Sequence, residues 1–350
     1  MIQSIRLQNF RLYDDSAFDF NEGVNIIVGP NASGKTSLLE AVLVVLQGVS
    51  YKAPLQQTVK HGKGWARLDA HTHHSSRTVK IEGQNGVTSK TYEIDKVRFK
   101  IMPPTKSLPV VLFEPEHLLM LSGRPDLRRE YLDGILVQTI PGHKKLLRDY
   151  KRALAQRNRL LKDARADSSQ IFPWDLRLSE LGENIAVSRQ KLVSRIAQKI
   201  GQVYQNLSGT QADIEVIYAS GVGLSNYGSN LLKKLTASLP LDRARGFTGL
   251  GPHRDDLEII VDGHKAQETV SRGEARTILL ALKMLEIEIV EELSGRSPIL
   301  LLDDVFSELD GLRRKALTKA LVGHQTFITT TDADIIAHNF AQKCNIISIG

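Results

Sequence analysis

One eight-residue segment, GPNASGKT from Gly29 to Thr36, restricts the fold of this 350-residue chain more than any other. It follows the apolar run VNIIV and precedes TSLLEAVLVVLQ, the arrangement of a glycine-rich turn between a buried strand and a helix. In such a turn the glycines let successive backbone N–H groups point at phosphate oxygens, and the helix dipole favours the negative charge. The segment therefore predicts a loop that binds the phosphates of a nucleoside triphosphate.

We expect this loop to hold ATP, with Lys35 at the β- and γ-phosphates and the Thr36 hydroxyl as a ligand of Mg²⁺. Arg11, in the segment NFRLY, is a further candidate near the base or the phosphates. The predicted ATP-binding residues are Gly29, Pro30, Asn31, Ala32, Ser33, Gly34, Lys35, Thr36 and Arg11.

A second segment, ILLLDDVFSELD, predicts the metal-binding half of the same site. Its apolar residues indicate a buried strand, and two adjacent carboxylates at the end of such a strand are costly unless a cation or hydrogen-bond donors satisfy them. We expect Asp303 to bind Mg²⁺ directly or through water, and Asp304 to orient or deprotonate the water that attacks the γ-phosphate. Lys35, Asp303 and Asp304 are the predicted catalytic residues.

The segment SRGE introduces a helix that leads to this strand, and it resembles the middle of the Ser-Gly-Gly-Gln signature of the ATP-binding-cassette (ABC) superfamily. The resemblance implies that this signature faces the nucleotide of a second copy of the chain, so that two heads enclose two ATP molecules in a two-fold dimer. Arg272 and Glu274 depart from the pattern, and an ordinary helix cap is the alternative interpretation. The trans signature would comprise Ser271, Arg272, Gly273 and Glu274, with Ser307 and Asp310 of SELD in the position of the superfamily's D-loop.

Two residues that are usual in that superfamily are missing. The histidine expected after the next strand is replaced by Thr329, Thr330, Thr331 and Asp332, and the glutamine expected after PVVLF by Glu114 and Glu116. The polar contacts to the γ-phosphate must therefore differ, and we expect slow ATP hydrolysis.

The predicted fold class is α/β: an ABC-type P-loop ATPase domain, similar to the heads of SMC (structural maintenance of chromosomes) proteins, with a mixed sheet and an inserted all-helical lobe. Alternating strand and helix signals assign residues 1–119 and 242–350 to a discontinuous head. Residues 120–241 are assigned to a mostly helical lobe, with boundaries good to about ten residues. Helical periodicity predicts one long helix over residues 144–166 and a second after FPWD, roughly 35 and 50 Å long.

The net positive charge of the chain is concentrated in this lobe. Residues 141–199 contain 14 Lys or Arg against 6 Asp or Glu, whereas the net charge of the whole chain is +7. Such a segment suits an acidic partner, although a solvated helical face is the alternative. We expect salt-sensitive, largely sequence-independent binding of DNA phosphates. The DNA-binding candidates are Lys144, Lys145, Arg148, Lys151, Arg152 and Arg159.

The cellular compartment is predicted from cysteine content and hydropathy. The single cysteine, Cys344, excludes an internal disulfide. No segment resembles a signal peptide or is apolar for long enough to span a membrane. We therefore expect a cytoplasmic protein without a membrane partner.

A closer resemblance covers essentially the whole chain, and it rests on LQNFRLYDD, GPNASGKTSLLEAV, EPEHLLMLSGRPDLRREYLD, TGLGPHRDDLEI, SRGEAR, LLLDDVFSELD and TFITTTD. These segments resemble the RecF family of bacterial recombination mediators. The resemblance implies an ATP-dependent homodimer that binds duplex DNA at gaps and single/double-strand junctions. It also implies cooperation with RecO and RecR to load RecA in DNA repair, replication restart and the SOS response. A weak, DNA-stimulated ATPase would reset DNA binding.

Three questions stay open at this point. GPHRDD could lie near the nucleotide or the dimer contact, or could form a structural turn anchored by Arg–Asp pairing. The ATPase subunit of a membrane transporter is one alternative function, and it fits poorly with the missing histidine and the basic lobe. A small-molecule kinase is the other, and it would need neither signature nor D-loop.

Overall fold

The computed structural model describes residues 1–84, 87–331 and 344–350. The chain forms two compact units, Met1–Pro115 with Glu286–Gly350, and Glu116–Leu285. The predicted domain assignment differs from this division mainly at its second boundary. It placed residues 242–285 with the head, whereas they lie in the second unit. That assignment stays a prediction. Asp332, one of the residues found in place of the missing histidine, lies outside the described residues.

The strands are β1 (Ile2–Phe10), β2 (Tyr13–Asp19), β3 (Val24–Val28), β4 (Trp65–Thr72), β5 (Ser76–Gln84), β6 (Val87–Ile94), β7 (Val97–Phe99), β8 (Val110–Phe113), β9 (Ile214–Ala219), β10 (Asp256–Val261), β11 (His264–Lys265), β12 (Ile299–Asp303), β13 (Thr326–Thr330) and β14 (Cys344–Ser348). The α-helices are α1 (Lys35–Gln47), α2 (Leu119–Ser122), α3 (Pro125–Thr139), α4 (His143–Lys162), α5 (Ser168–Ser208), α6 (Tyr227–Ala237), α7 (Leu239–Arg245), α8 (Ala266–Thr269), α9 (Arg272–Ser294) and α10 (Gly311–Ala320).

A parallel sheet in the first unit brings the two predicted halves of the nucleotide site together. Its strand order is β14-β3-β13-β12-β8 among the described residues, and every neighbouring pair is parallel. β12 and β13 are buried along their whole length, which explains their continuous apolar runs. Because parallel strands end at the same edge, the residues that follow β3 and β12 lie on one side of the sheet, with β13 between them.

The other sheet of this unit is antiparallel, in the order β2-β1-β4-β5-β6-β7 over the described strands. Strands β4 to β7 pair successively as antiparallel hairpins. Strand β2 was not predicted, because most of its residues are exposed and several are acidic. The β1–β2 turn contains Arg11 at a positive φ of 52°, so it lacks the glycine that usually marks such a turn.

The second unit is built around two long helices, α4 with 20 residues and α5 with 41. Helix α5 begins at Ser168, ahead of FPWD, because Asp167 and Gln170 form a capping box, and Pro173 lies inside its second turn. Strands β9, β10 and β11 form an antiparallel sheet, and β9 lies within residues 120–241. The predicted lobe is therefore mostly rather than wholly helical.

A buried arginine organises the interior of this unit. Arg157, in α4, is fully buried, and its guanidinium donates to Asp175 of α5 at 2.5 Å and to Asp242 of α7 at 2.7 Å. It also donates to the Thr248 hydroxyl at 2.9 Å. One cation thus joins two helices and a loop to α4. Helical periodicity did not reveal it, since a buried arginine interrupts an apolar face.

Arg157→Met is expected to lower the free energy of unfolding by about 3–5 kcal/mol, the usual result of removing one partner from a buried ion pair. The substitution preserves much of the side-chain volume but leaves two buried carboxylates without their cation. Chemical denaturation measures the change. Arg159→Met is the matched control, because Arg159 lies two residues away on the exposed face of α4 and should change stability by less than about 0.5 kcal/mol. Equal stability of the two variants would contradict the structural role of Arg157.

Within the described ranges, no helix combines the length and apolar character needed to span a membrane.

Candidate functional site

The glycine-rich loop has the tight backbone that its sequence predicts. Helix α1 starts at Lys35, after Gly34 at a φ of 110° and Ala32 at 64°. A Cβ atom on Gly29 would lie 2.1 Å from the carbonyl oxygen of Ile349, so this position admits only glycine without a shift of the backbone. The Tyr13 hydroxyl donates to the carbonyl of Gly34 at 3.0 Å, and burial raises the pKa of Tyr13 to about 12. The loop is thus fixed by its neighbours on both sides.

The polar groups of the loop fit a triphosphate. The Lys35 ammonium is buried and donates to the carbonyl oxygens of Gly29 at 2.7 Å and Pro30 at 2.8 Å. The Ser33 hydroxyl is buried and has no hydrogen-bond partner in the described part of the chain. Among the described residues, this buried cation pairs only with neutral carbonyls and lies beside an unsatisfied donor, an arrangement that suits anionic phosphate oxygens.

Thr36 and Asp303 converge, as the two motifs predicted. The Thr36 hydroxyl donates to Oδ1 of Asp303 at 2.8 Å, although 267 residues separate them in the chain. Asp303 is 5% exposed. A hydroxyl and a carboxylate at the helix start provide the oxygen ligands that Mg²⁺ prefers, and the bound ion would neutralise developing charge on the phosphates.

Two residues next to Asp303 were missed. The Tyr51 hydroxyl donates to Oδ2 of Asp303 at 3.2 Å, and Lys52 Nζ lies 3.8 Å from the same oxygen and 3.2 Å from Glu114. Burial, followed by the charge of Asp303, raises the pKa of Tyr51. Lys52 thus links Glu114, found in place of the expected glutamine, to Asp303, the predicted metal ligand. The segment SYKAP matches no motif, so only the fold could reveal these contacts.

Asp304 and the predicted D-loop continue from β12. Asp304 is exposed and has a positive φ of 52°, and its carbonyl accepts a hydrogen bond from the Ser307 hydroxyl at 2.7 Å. Asp310 caps α10 by accepting the backbone N–H of Arg313 at 3.0 Å, which lowers the pKa of Asp310. Both predicted D-loop residues therefore have a local structural partner, and their role at a dimer contact stays a prediction.

Arg11 has partners other than the phosphate loop. Its guanidinium forms two hydrogen bonds of 2.7 Å with Glu40 of α1 and a third of 3.0 Å with the carbonyl of Gln57. Glu40 is 1% exposed, so the pair joins the β1–β2 turn to α1. Its predicted contact with ATP remains a prediction.

The signature residues lie at the exposed N-terminus of α9, a helix of 23 residues. Ser271 and Glu274 form a capping box: the Glu274 carboxylate accepts the Ser271 N–H at 2.8 Å, and the Ser271 hydroxyl accepts the Glu274 N–H at 3.3 Å. Within one chain the segment is thus a helix cap, which was the alternative interpretation. An exposed serine at a helix N-terminus is also compatible with an anion from a second chain.

The six DNA-binding candidates share one property, since all of them are exposed on α4. The apolar positions Tyr150 and Leu161 of the same helix are buried, so α4 has the two faces that its periodicity predicted.

The GPHRDD segment makes structural contacts inside the second unit. His253 is hydrogen-bonded to the Tyr150 hydroxyl at 2.8 Å, and burial lowers the pKa of His253 to about 4, so the ring is neutral at neutral pH. Asp255 accepts hydrogen bonds from the hydroxyls of Tyr218 at 2.9 Å and Tyr227 at 2.8 Å. Arg128 pairs with Asp256 through bonds of 2.8 and 2.7 Å. The arginine of this pair comes from α3 rather than from GPHRDD, so the role of the segment stays open.

Comparisons with known proteins agree with this geometry. The sequence model of the AAA domain family matches residues 4–199, which is more than half of the chain. The structure of an Smc head bound to the C-winged helix domain of ScpA is 15% identical, with a TM-score of 0.56 over 97% of this chain and 91% of that one. The fold and the loop together define an ABC-type, SMC-head-like P-loop ATPase.

Closer relatives identify the family. The DNA replication and repair protein RecF of Moorella thermoacetica is 33% identical over 99% of this chain and 94% of its own length. RecF of Heliobacterium modesticaldum is 36% identical over 94% of this chain and 92% of its own length. A solved structure of the recombination mediator RecF with ATP, in the RecFOR pathway, is 30% identical to this chain. Its TM-score is 0.85 over 95% of this chain and 92% of that one. The chain belongs to the RecF family of DNA replication and repair proteins.

Proposed function

We propose that this chain is an ATP-dependent recombination mediator. It dimerises when it binds ATP, binds duplex DNA at gaps or single/double-strand junctions, and acts with RecO and RecR to help load RecA. The ATP-bound relative of the RecFOR pathway supports this proposal at family level. Slow hydrolysis, stimulated by DNA, opens the dimer and resets DNA binding.

The contact between Thr36 and Asp303 carries the proposal, because it unites the phosphate loop and the acidic strand in one site. Mg²⁺ held there would neutralise charge on the β- and γ-phosphates. Lys35 binds the same phosphates, and Asp304, exposed at the end of β12, orients the attacking water and accepts its proton. Tyr51 and Thr329 hold the Asp303 carboxylate in place through further hydrogen bonds.

Dimerisation completes the site in this proposal. Lys35 and Asp303 of one chain bind the nucleotide, and Ser271 of the second chain supplies a hydroxyl from the N-terminus of its α9. The exposure of residues 271–274 supports this role, since a second chain can reach them. Binding of ATP then closes a two-fold dimer, and hydrolysis removes the γ-phosphate that joins the two chains.

ATPase rates with different activators test the proposed function. We expect gapped or junction-containing duplex DNA to stimulate hydrolysis more than single-stranded DNA does, and a panel of small metabolites to leave the rate unchanged. Stimulation by a metabolite that becomes phosphorylated would instead identify a kinase. A rate that no DNA changes would contradict the proposed coupling.

Neutralising the exposed face of α4 is expected to weaken DNA binding and its salt dependence together. In the triple variant Lys145→Gln, Lys151→Gln, Arg152→Gln, three possible phosphate contacts are lost, so the slope of log K against log salt should fall by about 3. Fluorescence anisotropy with a labelled gapped duplex at several salt concentrations measures the slope. The triple variant Lys63→Gln, Lys96→Gln, Lys100→Gln is the control, because it removes the same charge from exposed positions of the first unit. Equal slopes for both triple variants would exclude α4 from the DNA interface.

A further inference from the structure

A single buried hydroxyl connects the two acidic residues at the end of β12. Thr329 is the fourth residue of β13 and is 1% exposed, and the parallel pairing of β12 with β13 places it next to Asp303. Its hydroxyl donates to Oδ1 of Asp303 at 2.9 Å and accepts the backbone N–H of Asp304 at 2.9 Å. The carbonyl of Leu302 is a more distant acceptor, at 3.5 Å, so the proton favours the nearer, charged carboxylate.

The backbone at Asp304 needs this support. Its positive φ of 52° is a conformation that residues other than glycine adopt rarely, although aspartate tolerates it better than most. The hydrogen bond from its N–H to Thr329 fixes the turn where the chain leaves β12. Since the Thr36 hydroxyl donates to the same Oδ1 of Asp303, two hydroxyls, one from α1 and one from β13, orient this carboxylate.

We propose that Thr329 is a positioning residue for ATP hydrolysis: through one hydroxyl it orients the Mg²⁺ carboxylate of Asp303 and holds Asp304 in the backbone conformation that directs the attacking water. The inference rests on the proposed ATPase function and deepens it. It also gives a role to one of the threonines that the sequence has in place of the usual histidine, since Thr329 lies near the end of β13. Thr329 acts through Asp303 and Asp304, and it need not touch the nucleotide.

Isosteric substitutions test the role of the hydroxyl. Thr329→Val preserves the β-branched shape and removes both hydrogen bonds, whereas Thr329→Ser preserves the hydroxyl. Thr326→Val is a matched control on the same strand: Thr326 is fully buried, and its hydroxyl donates only to the carbonyl of His324, at 3.2 Å, among the described contacts. Thermal unfolding of all variants checks that they fold.

Two measurements separate positioning from general stability. The first is the Mg²⁺ concentration that half-saturates binding of a fluorescent ATP analogue, and the second is the division of the ATPase defect between kcat and KM. For Thr329→Val we expect about tenfold more Mg²⁺ at half-saturation and a kcat at least about tenfold lower, since a hydrogen bond to a charged group commonly has that effect. The KM for ATP should change by less than about threefold, because Lys35 and the loop are untouched.

The serine variant and the Thr326→Val control should resemble the wild-type chain in both measurements. If Thr329→Val matches Thr326→Val in Mg²⁺ requirement and kcat, the inference is overturned. It is also overturned if a folded Thr329→Ser chain is as defective as Thr329→Val. Should Thr329→Val fail to fold, Thr329→Ala and Thr329→Ser are compared, and equal Mg²⁺ requirements for the two would exclude a role of the hydroxyl.

Failure of the proposed function would give different experimental results. A wild-type chain that binds Mg²⁺ and the ATP analogue but neither binds DNA nor hydrolyses ATP faster in its presence would overturn the recombination role. The Mg²⁺ titration would still decide the role of Thr329. A wild-type chain whose nucleotide binding is independent of Mg²⁺ would overturn both.

Discussion

Asp303→Asn is expected to lower kcat for ATP hydrolysis at least about a hundredfold, while ATP binding without Mg²⁺ changes by less than about threefold. The loss follows from the position of Asp303, whose carboxylate accepts hydrogen bonds from Thr36 and Thr329 and is the predicted metal ligand. Asparagine keeps the shape but removes the negative charge and replaces one oxygen by an NH₂ donor. Removing one group that stabilises transition-state charge typically reduces the rate by a factor of this order. Phosphate contacts from Lys35 and the loop remain, so binding persists.

Steady-state hydrolysis and equilibrium binding of a fluorescent nucleotide measure the two effects of Asp303→Asn separately. Asp15→Asn is the control, because it removes a carboxylate of the same unit that is exposed and paired with Arg6. Lys35→Arg should also lose hydrolysis, since the larger guanidinium cannot take the place of the buried ammonium. An Asp303→Asn chain with more than about a tenth of the wild-type kcat would exclude Asp303 from metal binding.

Ser271→Arg is expected to weaken ATP-dependent dimerisation at least about thirtyfold, as removal of a central interface contact does. Arginine cannot fit where a serine approaches the partner's phosphate, and the substitution also breaks the capping box with Glu274. ATP binding to the isolated chain should persist, because Lys35 and Asp303 belong to the same chain.

Sedimentation velocity with Mg²⁺ and a non-hydrolysable ATP analogue, over a range of protein concentrations, measures the effect of Ser271→Arg. Ser169→Arg provides the control, since Ser169 is also an exposed serine in the first turn of a helix that begins with a capping box. A Ser271→Arg chain that dimerises as well as the Ser169→Arg chain would exclude the signature from the dimer contact.

Much of the nucleotide site could be predicted from the sequence, because its motifs coincide with strong local signals. GPNASGKT follows a buried strand and opens a helix, and LLLDD ends a strand whose apolar run indicates burial on both faces. The contact between Thr36 and Asp303 then follows from the rule that parallel strands present their carboxyl ends at one edge.

Residues whose role depends on tertiary contacts could not be found in this way. Tyr51 and Lys52 lie in a connecting segment without a motif, and only the fold brings them to Asp303. Thr329 was noted as a departure from the superfamily, but its hydrogen bonds depend on the register between β12 and β13. Arg157 was missed for a different reason. Helical periodicity places charged residues on the surface, whereas this guanidinium is buried and hydrogen-bonded to three polar groups.

The capping box at Ser271 and Glu274 illustrates a pattern with two valid interpretations. The Ser-x-x-Glu spacing is a helix-start signal, and the structure contains that cap. The same residues are placed by resemblance at the nucleotide of a second chain. A sequence pattern cannot separate the two, because one exposed hydroxyl can serve both purposes at different times.

The most direct test of the shared nucleotide is the mass of the ATP-bound wild-type chain in solution. Sedimentation velocity with Mg²⁺ and a non-hydrolysable ATP analogue should detect a species of twice the chain mass with one nucleotide per chain, and ADP should return it to the monomer. A chain saturated with the analogue that sediments as a monomer, at concentrations well above those needed for binding, would contradict a nucleotide held between two copies.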